Sequence, residues 1–334
     1  MMMFVIKKYF VSVCFVLTFS SLVPQVVHAN YAQRTDVKQF IKEMVDEHGF
    51  DRAYLESKFA SAKKLDDVLE SIAKPAEKKL TWKRYRPIFV TDKRSEKGKK
   101  FIRDNKGMLM RAEKKYGVPM EIIAAIIGVE SYYGKHTGKY TIFDSLTTLG
   151  FDYPKRGKFF RDELKQFLLL SKEENIDINK MTGSYAGAMG MPQFISSSYR
   201  RYAVDFDGDG KRDLWNSLPD VIGSVANYFS RHGWKKGKDV AHPVTVKNTG
   251  IVKQKNTLKP YVTIAQLETQ GVALKQASKI SKSDKEQMAT LLKLKGKEGD
   301  EYWLGLKNFY VITRYNHSEL YAMAVYQLSE KLKH

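Results

Sequence analysis

An almost wholly apolar stretch, PMEIIAAIIGVE at residues 119–130, limits the folds open to this chain. A helix with apolar side chains at nearly every position has no polar face to turn to water, so it belongs in a protein core. Pro119 suits the first helical position, and Gly134 in the following SYYG suits a helix stop. We therefore predict a core helix that carries one carboxylate, Glu130, at its end.

Amphipathic helices are predicted on both sides of this core helix. Apolar residues spaced i, i+3, i+4 and i+7 mark one helical face within residues 37–45, with Gly49 as its stop. Similar patterns cover residues 51–72 and 158–173, a helix opened by Pro219, and residues 318–333. The fold class is therefore mainly α, within the α+β group.

Composition changes after residue 235 and helps to divide the chain into parts. Residues 236–305 are lysine-rich and contain short alternating pieces such as HPVTVKNTG, which favour a small β-containing subdomain. Within residues 306–334 we expect a strand and a closing helix. The remaining predicted parts are an N-terminal segment at 1–29, a helical region at 30–107 and a motif-rich core at 108–235.

The first 29 residues have the three-part pattern of a secretory signal. Lys7 and Lys8 precede an apolar run, and Val27-His28-Ala29 provides small residues at a cleavage site. The alternative is an uncleaved anchor helix, but the run is shorter than the roughly 20 residues that a membrane span needs. Cleavage would remove the only cysteine, Cys14, and Val13 before it argues against a lipid anchor. We therefore expect an exported, periplasmic protein without disulfides or lipid.

The chain is strongly basic, with a formal net charge of +20. A field of this sign attracts anionic polymers and membrane surfaces, although a solvated, solubilising surface would give the same total. Export argues against nucleic acid as a partner. The polyanions that remain outside the cytoplasm are cell-wall polymers and lipid head groups.

The segment DFDGDGKRD, from Asp205, has the ligand spacing of a calcium-binding EF-hand loop over residues 205–216. Carboxylates occupy loop positions 1, 3, 5 and 9, a glycine occupies position 6, and position 7 supplies a backbone carbonyl. Position 12 departs from the pattern because Asn216 stands there, so Asp220 is the candidate for the last carboxylate. The alternative is an Asp/Gly turn without metal, but clustered acids repel one another unless a cation lies among them. The predicted ligands of a structural Ca²⁺ are Asp205, Asp207, Asp209, Lys211, Asp213 and Asp220.

Glu130 is the candidate general acid. Partial burial against isoleucines and the negative end of a helix dipole both favour its protonated form, which a general acid needs near neutral pH. The alternative is a solvated glutamate at a helix end. No HExxH zinc motif, paired cysteines or GxSxG nucleophile elbow occurs in the sequence, so metalloprotease, cysteine-dependent and serine-hydrolase chemistry are excluded.

A second glycine-rich stretch, GSYAGAMGMPQF at residues 183–194, suits close approach of a ligand to the backbone. Gln193 within it can exchange hydrogen bonds with a sugar amide. The alternative is a tight contact between helices, which also favours Gly and Ala. The stretch lacks the lysine and the strand–turn–helix setting of a phosphate-binding loop.

These motifs together resemble the lytic murein transglycosylase B family. GVESYYG, GSYAGAMGMPQF, SSYRRYAVDFDGDGKRDLWNS, SVANYFSRHGW and NFYVITRYNHSELYAMAV follow one another in order, with FIKEMVDEHGF and WKRYRPIF upstream. The similarity covers nearly all of the chain after residue 29 and weakens between about 236 and 300. It implies a lysozyme-like helical core with flanking helical and small β-containing parts. It also implies non-hydrolytic cleavage of peptidoglycan between N-acetylmuramic acid and N-acetylglucosamine.

The resemblance assigns the catalytic acid to Glu130 and explains why one acid suffices. The 2-acetamido oxygen of the substrate can stabilise the anomeric carbon, and its own 6-hydroxyl can attack, which leaves a 1,6-anhydromuramoyl end. Tyrosines would stack on sugars, Arg156 would meet a peptide carboxylate, and residues 306–334 would complete the groove. The implied substrate-binding residues are Tyr85, Ser131, Arg156, Ser184, Gln193, Tyr228, Tyr315, Asn316 and Tyr321.

Two alternatives remain open on sequence alone. A hydrolytic muramidase could use the same fold, and a basic wall-binding protein without catalysis would share the charge but would not need Glu130. The loop before Asp220 is one residue longer than the family pattern, which puts that ligand in doubt. The expected partners are peptidoglycan glycan strands, with other cell-wall enzymes as further candidates, and the expected state is a monomer without an organic cofactor.

Overall fold

The computed structural model describes residues 30–73, 80–247, 250–251, 257–275 and 285–333. The predicted signal segment lies outside these residues. Helices make up most of the described chain, with the bounds α1 Thr35–His48, α2 Arg52–Ser61, α3 Asp66–Ala73, α4 Trp82–Phe89, α5 Asp92–Asp104, α6 Lys106–Tyr116, α7 Met120–Ser131, α8 Ile142–Asp152, α9 Gly157–Glu173, α10 Ser196–Tyr202, α11 Leu218–Arg231, α12 Ile264–Thr269, α13 Lys307–Ile312 and α14 Glu319–Leu332. The strands are β1 Tyr140–Thr141, β2 Thr182–Gly183, β3 Ala241–Val246, β4 Val262–Thr263, β5 Val272–Leu274, β6 Met288–Lys295 and β7 Asp300–Gly305. In these ranges, no helix combines the length and the apolar character needed to cross a bilayer.

Local signals set the ends of several helices. In α1, Val37, Ile41 and Met44 are buried along one face, as the spacing predicts. Gly49 ends the helix in the left-handed conformation, with φ of 62°, which a glycine adopts without steric cost. Helix α11 begins after Ser217, whose side chain accepts a hydrogen bond from the backbone of Asp220.

The apolar helix α7 lies in the middle of the main core. Every residue from Ile122 to Val129 is buried, and α5, α6, α11 and α14 pack around it. Since its side chains are apolar on all sides, each packed neighbour removes further apolar surface from water. The predicted core helix is therefore confirmed, although Pro119 caps the helix one position before its first turn.

The small β-containing subdomain has a core of its own. Its sheet has the strand order β4-β6-β7-β3-β5, and all neighbouring strands are antiparallel. Inward side chains such as Val244, Leu291 and Leu304 pack against Ile264 and Leu267 of α12. The small β-containing part of the predicted fold class is confirmed, and its bounds at residues 236 and 305 stay predictions.

Two sequence-based boundaries need correction. The strand predicted within residues 306–334 is wrong: β7 ends at Gly305, and Lys307–Ile312 is helical with its apolar residues in the main core. The alternation in YWLGLKNFYV therefore covers a strand and the start of a helix. The predicted border between residues 107 and 108 falls inside α6. The other borders stay predictions.

Candidate active site

Glu130 lies half-buried in the last turn of α7, where the chain turns sharply. Tyr132 and Tyr133 both have left-handed backbone conformations, with φ of 53° and 59°. Their amides donate to the carbonyl oxygens of Gly128 and Ile127, each at 3.2 Å, which closes the helix end. Two successive non-glycine residues in this conformation are strained, so surrounding contacts must hold them.

The side chain of Tyr133 makes the contacts that hold these two residues in place. It inserts between α5 and α7, and its hydroxyl donates to the carbonyl oxygen of Arg94 at 3.1 Å. A Cβ on Gly98 would lie 2.2 Å from the Tyr133 hydroxyl, and one on Gly128 would lie 2.5 Å from Tyr133 Cζ. The two glycines therefore form the slot that this ring fills, and the filled slot fixes the helix end that carries Glu130.

Tyr321 contacts the catalytic candidate directly. Its hydroxyl donates to Glu130 Oε1 at 2.5 Å from the first turn of α14. Burial raises the pKa of Tyr321 well above its usual range, and the charge of Glu130 raises it further. Tyr321 is therefore a neutral donor at all physiological pH values, and it orients the carboxyl group of Glu130.

Aromatic rings connect this pair to a second helix. The ring of Tyr315 stacks on that of Tyr321 with centroids 6.5 Å apart, and the ring centroid of Tyr228 lies 4.8 Å from that of Tyr315. The hydroxyls donate to backbone carbonyls, Tyr315 to Pro192 and Tyr228 to Arg314, both at 2.6 Å. The structure therefore brings three predicted residues together beside Glu130.

Several of the predicted binding residues are buried. The side chains of Tyr85, Tyr228 and Tyr321 are 1%, 6% and 2% exposed. Protein atoms cover most of these side chains, so stacking of the three rings on sugars stays a prediction. Ser131 is also buried: its hydroxyl donates to the carbonyl of Ile127 and accepts from the amide of Gly134, which makes it part of the helix end.

The glycine-rich stretch forms turns after β2 and packs two of its glycines closely against α8, so it is not one side of a contact between two helices. The Ser184 hydroxyl accepts from the amides of Ala186 and Ala188, at 3.2 and 3.0 Å. The Gln193 side-chain amide donates to the carbonyls of Thr137 and Gly190, at 3.0 and 2.9 Å, which joins this stretch to the loop after α7. Both residues are half-buried beside that loop.

The last two predicted binding residues lie nearer solvent. Arg156 caps α9 and is exposed, and its guanidinium lies over the ring of Phe159 at 4.3 Å. Asn316 is half-buried next to Tyr315, and its carbonyl accepts from the amide of Ser318. No contact among the described residues ties Arg156 to Glu130, so its role stays a prediction.

The calcium-type loop has the expected conformation. Carboxylate oxygens of Asp205, Asp207 and Asp209 all lie within 4.8 Å of one another. The Asp205 carboxylate also accepts from the amides of Gly208 and Gly210, at 2.6 and 2.9 Å. Both glycines have positive φ, 84° and 87°, as a tightly curled loop requires. The donor set therefore fits Ca²⁺, which prefers several carboxylate oxygens.

Asp213 and Asp220 have other partners in this structure. The Asp220 carboxylate is buried and accepts from the amides of Phe206 and Asp213, at 2.6 and 2.8 Å, which ties both ends of the loop to α11. The Asp213 carboxylate accepts from Trp215 and Asn216. Neither residue belongs to the cluster of three acids, so their direct ligation stays a prediction.

Comparison with known proteins decides the family. The model of the transglycosylase SLT domain matches residues 32–330. The chain belongs to this transglycosylase family. It is 44% identical over 310 residues to membrane-bound lytic murein transglycosylase B of Escherichia coli, covering 90% of this chain and 83% of that protein. The predicted family, the mainly helical lysozyme-like fold and the enzyme class are confirmed: the chain is a lytic transglycosylase that cleaves peptidoglycan.

Two solved structures extend the comparison. The E. coli lytic transglycosylase SLT35 in complex with calcium is 44% identical, has a TM-score of 0.83, and matches over 92% of this chain and 95% of its own. SltB3 of Pseudomonas aeruginosa in complex with NAG-NAM-pentapeptide is 29% identical with a TM-score of 0.80, over 89% and 78%. This lytic transglycosylase therefore shares its fold with relatives crystallised with calcium and with a peptide-bearing glycan.

Sequence reasoning missed the residues that hold this site in place. Gly98 and Gly128 lie inside helical patterns that give no reason for a glycine, and in the structure they shape the slot for Tyr133. Gly138, between the two quoted motifs, comes so close to Gly183 that a Cβ there would lie 1.9 Å from the Gly183 carbonyl. An unexplained glycine inside a predicted helix is the one signal that could have indicated Gly98 and Gly128.

Proposed function

We propose that this transglycosylase cleaves the β-1,4 bond between MurNAc and GlcNAc without water, with Glu130 as its single acid and base. The observation that carries the proposal is the position of Glu130 at the end of α7 against the neutral donor Tyr321. Among the described residues, Glu130 is also the one carboxylate whose charge raises the pKa of Tyr315. In this proposal the single carboxyl group of Glu130 does the work that a pair of carboxylates does in most glycosidases.

The two chemical steps need only one carboxyl group. In the first, protonated Glu130 gives its proton to the glycosidic oxygen as the C1–O bond breaks, and the 2-acetamido oxygen of the muramoyl residue stabilises C1. In the second, the 6-hydroxyl oxygen of the same residue bonds to C1, and its proton returns to Glu130. The carboxyl group ends in its starting state, and the product ends are a GlcNAc hydroxyl and a 1,6-anhydromuramoyl residue.

The surroundings of Glu130 suit this cycle. The Tyr321 hydroxyl orients the carboxyl group and stabilises its anionic form between the two steps through a charge-assisted hydrogen bond. A nucleophile tethered to the reacting ring needs no separate binding event, which lowers the entropic part of the barrier. The substrate class is a glycan strand carrying peptide stems, as in the NAG-NAM-pentapeptide bound by SltB3. Such a substrate and the N-terminal sequence pattern support action in the periplasm after export.

Product analysis separates this mechanism from that of a hydrolytic muramidase. Mass spectrometry of the muropeptides released from purified sacculi should show 1,6-anhydro ends, each lighter by one water than a reducing end. The hydrolytic alternative gives reducing ends from the same bond, so a digest that contains those alone would exclude the transglycosylase step.

A second part of the proposal is a structural Ca²⁺ at the loop of Asp205, Asp207 and Asp209. The calcium complex of SLT35 and the close approach of these three carboxylates support it. Bound there, the ion would neutralise carboxylates that otherwise repel one another. Asp220 ties this loop to α11, and α11 carries Tyr228, so a stabilised loop would support one wall of the site.

Calcium removal should therefore lower thermal stability. At a calcium concentration about 100 times Kd, binding to the native state alone stabilises by about 2.7 kcal/mol, and a chelator should remove that contribution. Asp205→Asn should have a melting temperature that no longer responds to calcium. The exposed Asp104→Asn on α5 is the matched control and should respond like the wild type. Equal melting temperatures of the wild type with calcium and with chelator would refute a structural ion.

A further inference from the structure

Residues 190–193 form a tight turn beside the helix end that carries Glu130. Met189 and Phe194 close this turn, because the amide of each donates to the carbonyl of the other, at 2.8 and 3.1 Å. Both closing side chains are buried in the main core. A turn closed by buried residues on both sides holds the segments that touch it at fixed distances, since a packed interior yields little.

The side chain of Met191, in this turn, packs against the end of α7. A Cβ on Gly134 would lie 3.0 Å from Met191 Sδ and 3.3 Å from its Cε, so the thioether lies against the open face of this glycine. Gly134 has φ of 82°, and its amide donates to Ser131 Oγ at 3.0 Å. Ser131 follows Glu130 directly, so the half-buried Met191 supports the helix end one residue from the catalytic candidate.

The next residue of the turn holds the partner of Glu130. The Pro192 carbonyl accepts the hydroxyl of Tyr315 at 2.6 Å, and the ring of Tyr315 stacks on that of Tyr321. The Tyr321 hydroxyl then donates to Glu130 Oε1. One turn therefore supports both members of the hydrogen-bonded pair, the carboxyl group through the helix end and the tyrosine through its stacked neighbour.

The backbone of Met191 fixes the turn from a third side. Its amide donates to the carbonyl of Leu214 at 2.9 Å, and a Cβ on Gly190 would lie 2.3 Å from the same oxygen. Leu214 belongs to the calcium-type loop and is fully buried. This hydrogen bond and the close approach at Gly190 leave Met191 little room to retreat from Gly134, so its side chain acts as a fixed wedge.

We propose that Met191 is a positioning residue for Glu130, an assignment that rests on the function proposed above. Its side chain limits how far the helix end can move, and so it keeps the carboxyl group within hydrogen-bond distance of Tyr321. A general acid works only within hydrogen-bond reach of the atom that it protonates, so a small shift of this carboxyl group lowers the rate. In this role Met191 needs no contact with the sugar.

The test is turnover of purified glycan strands at several concentrations, which separates kcat from KM. Met191→Ala should lower kcat about 10- to 100-fold, the cost of a misplacement of up to about 1 Å, and leave KM within about twofold. Met191→Leu fills nearly the same volume and should keep kcat within about threefold of wild type. Tyr321→Phe combined with Met191→Ala should lose less than the product of the two single losses, because both changes disturb one contact.

Met120→Ala is the matched control. Met120 is also half-buried and begins the same helix, about 15 Å from Glu130 along an axis that rises 1.5 Å per residue. The substitution removes the same packing, so it should lower the melting temperature. It should leave kcat within about twofold of wild type, since distant sites act independently. Melting curves of every variant show which of them are folded at the assay temperature.

Three results would overturn the proposal. A kcat loss in Met191→Ala no larger than that in Met120→Ala would assign the residue to packing alone. A loss confined to KM would make Met191 a contact of the sugar. Failure of Met191→Leu to restore kcat would exclude a wedge that acts by its shape. The ends that the wild type releases test the proposed function in a separate experiment, so that function stands if Met191→Ala leaves kcat unchanged.

Discussion

Glu130→Gln should reduce kcat by about 10² to 10⁴, the range that a positioned general acid–base group contributes. Glutamine keeps the shape of the side chain and can still accept the Tyr321 hydrogen bond, but it can neither give nor take the proton in the two steps. Binding of glycan strands should persist, because the groove is unchanged. The measurement is turnover of purified glycan strands together with a binding assay.

Glu121→Gln is the matched control for this substitution. Glu121 stands in the first turn of the same helix, α7, at the end far from the site. The same chemical change there should leave turnover within about twofold of wild type, as is usual for changes away from packed or paired groups. Turnover by Glu130→Gln within tenfold of the wild type would remove Glu130 from the mechanism.

Gly138→Ala should cause the largest loss of stability, about 2 to 5 kcal/mol, from left-handed strain together with overpacking. The backbone of Gly138 has φ of 101°, and a Cβ there would lie 1.9 Å from the Gly183 carbonyl. To relieve this clash, the loop after α7 must move away from the glycine-rich stretch. The Gln193–Thr137 hydrogen bond joins the same two segments, so activity should fall with stability.

Gly107→Ala gives the comparison for this loss. Gly107 lies inside α6, and no atom within 4 Å would meet an added Cβ. The same substitution there should stabilise the protein by about 0.5 to 1 kcal/mol, because alanine is the better helix former. Chemical denaturation of both variants measures the difference, and equal effects at the two positions would contradict the steric account.

Local patterns predicted much of this fold because helix ends depend on neighbouring residues. Gly49 acts through its own backbone, so the end it gives α1 could be expected from the sequence. The apolar stretch of α7 likewise had to be buried, whichever helices packed against it. The strand predicted after residue 306 failed because YWLGLKNFYV has apolar residues suited to both a strand and a helix.

The site was harder to predict because its geometry depends on distant segments. Tyr321 and Glu130 are separated by 191 positions along the chain, yet they form one hydrogen bond. The sequence indicated that Tyr228 and Tyr321 belong near Glu130, but no local pattern distinguishes a ring that stacks on sugar from a buried one that donates through its hydroxyl. That distinction depends on how α11 and α14 pack.

The central claim is that one carboxyl group suffices because the substrate supplies the attacking oxygen. It is tested most directly by digesting sacculi with the wild-type protein in ¹⁸O-labelled water and analysing the new ends by mass spectrometry. Our account predicts 1,6-anhydromuramoyl ends without heavy oxygen, and no such ends from Glu130→Gln. Reducing ends that carry ¹⁸O from the wild-type digest would contradict it, because that oxygen could come only from water.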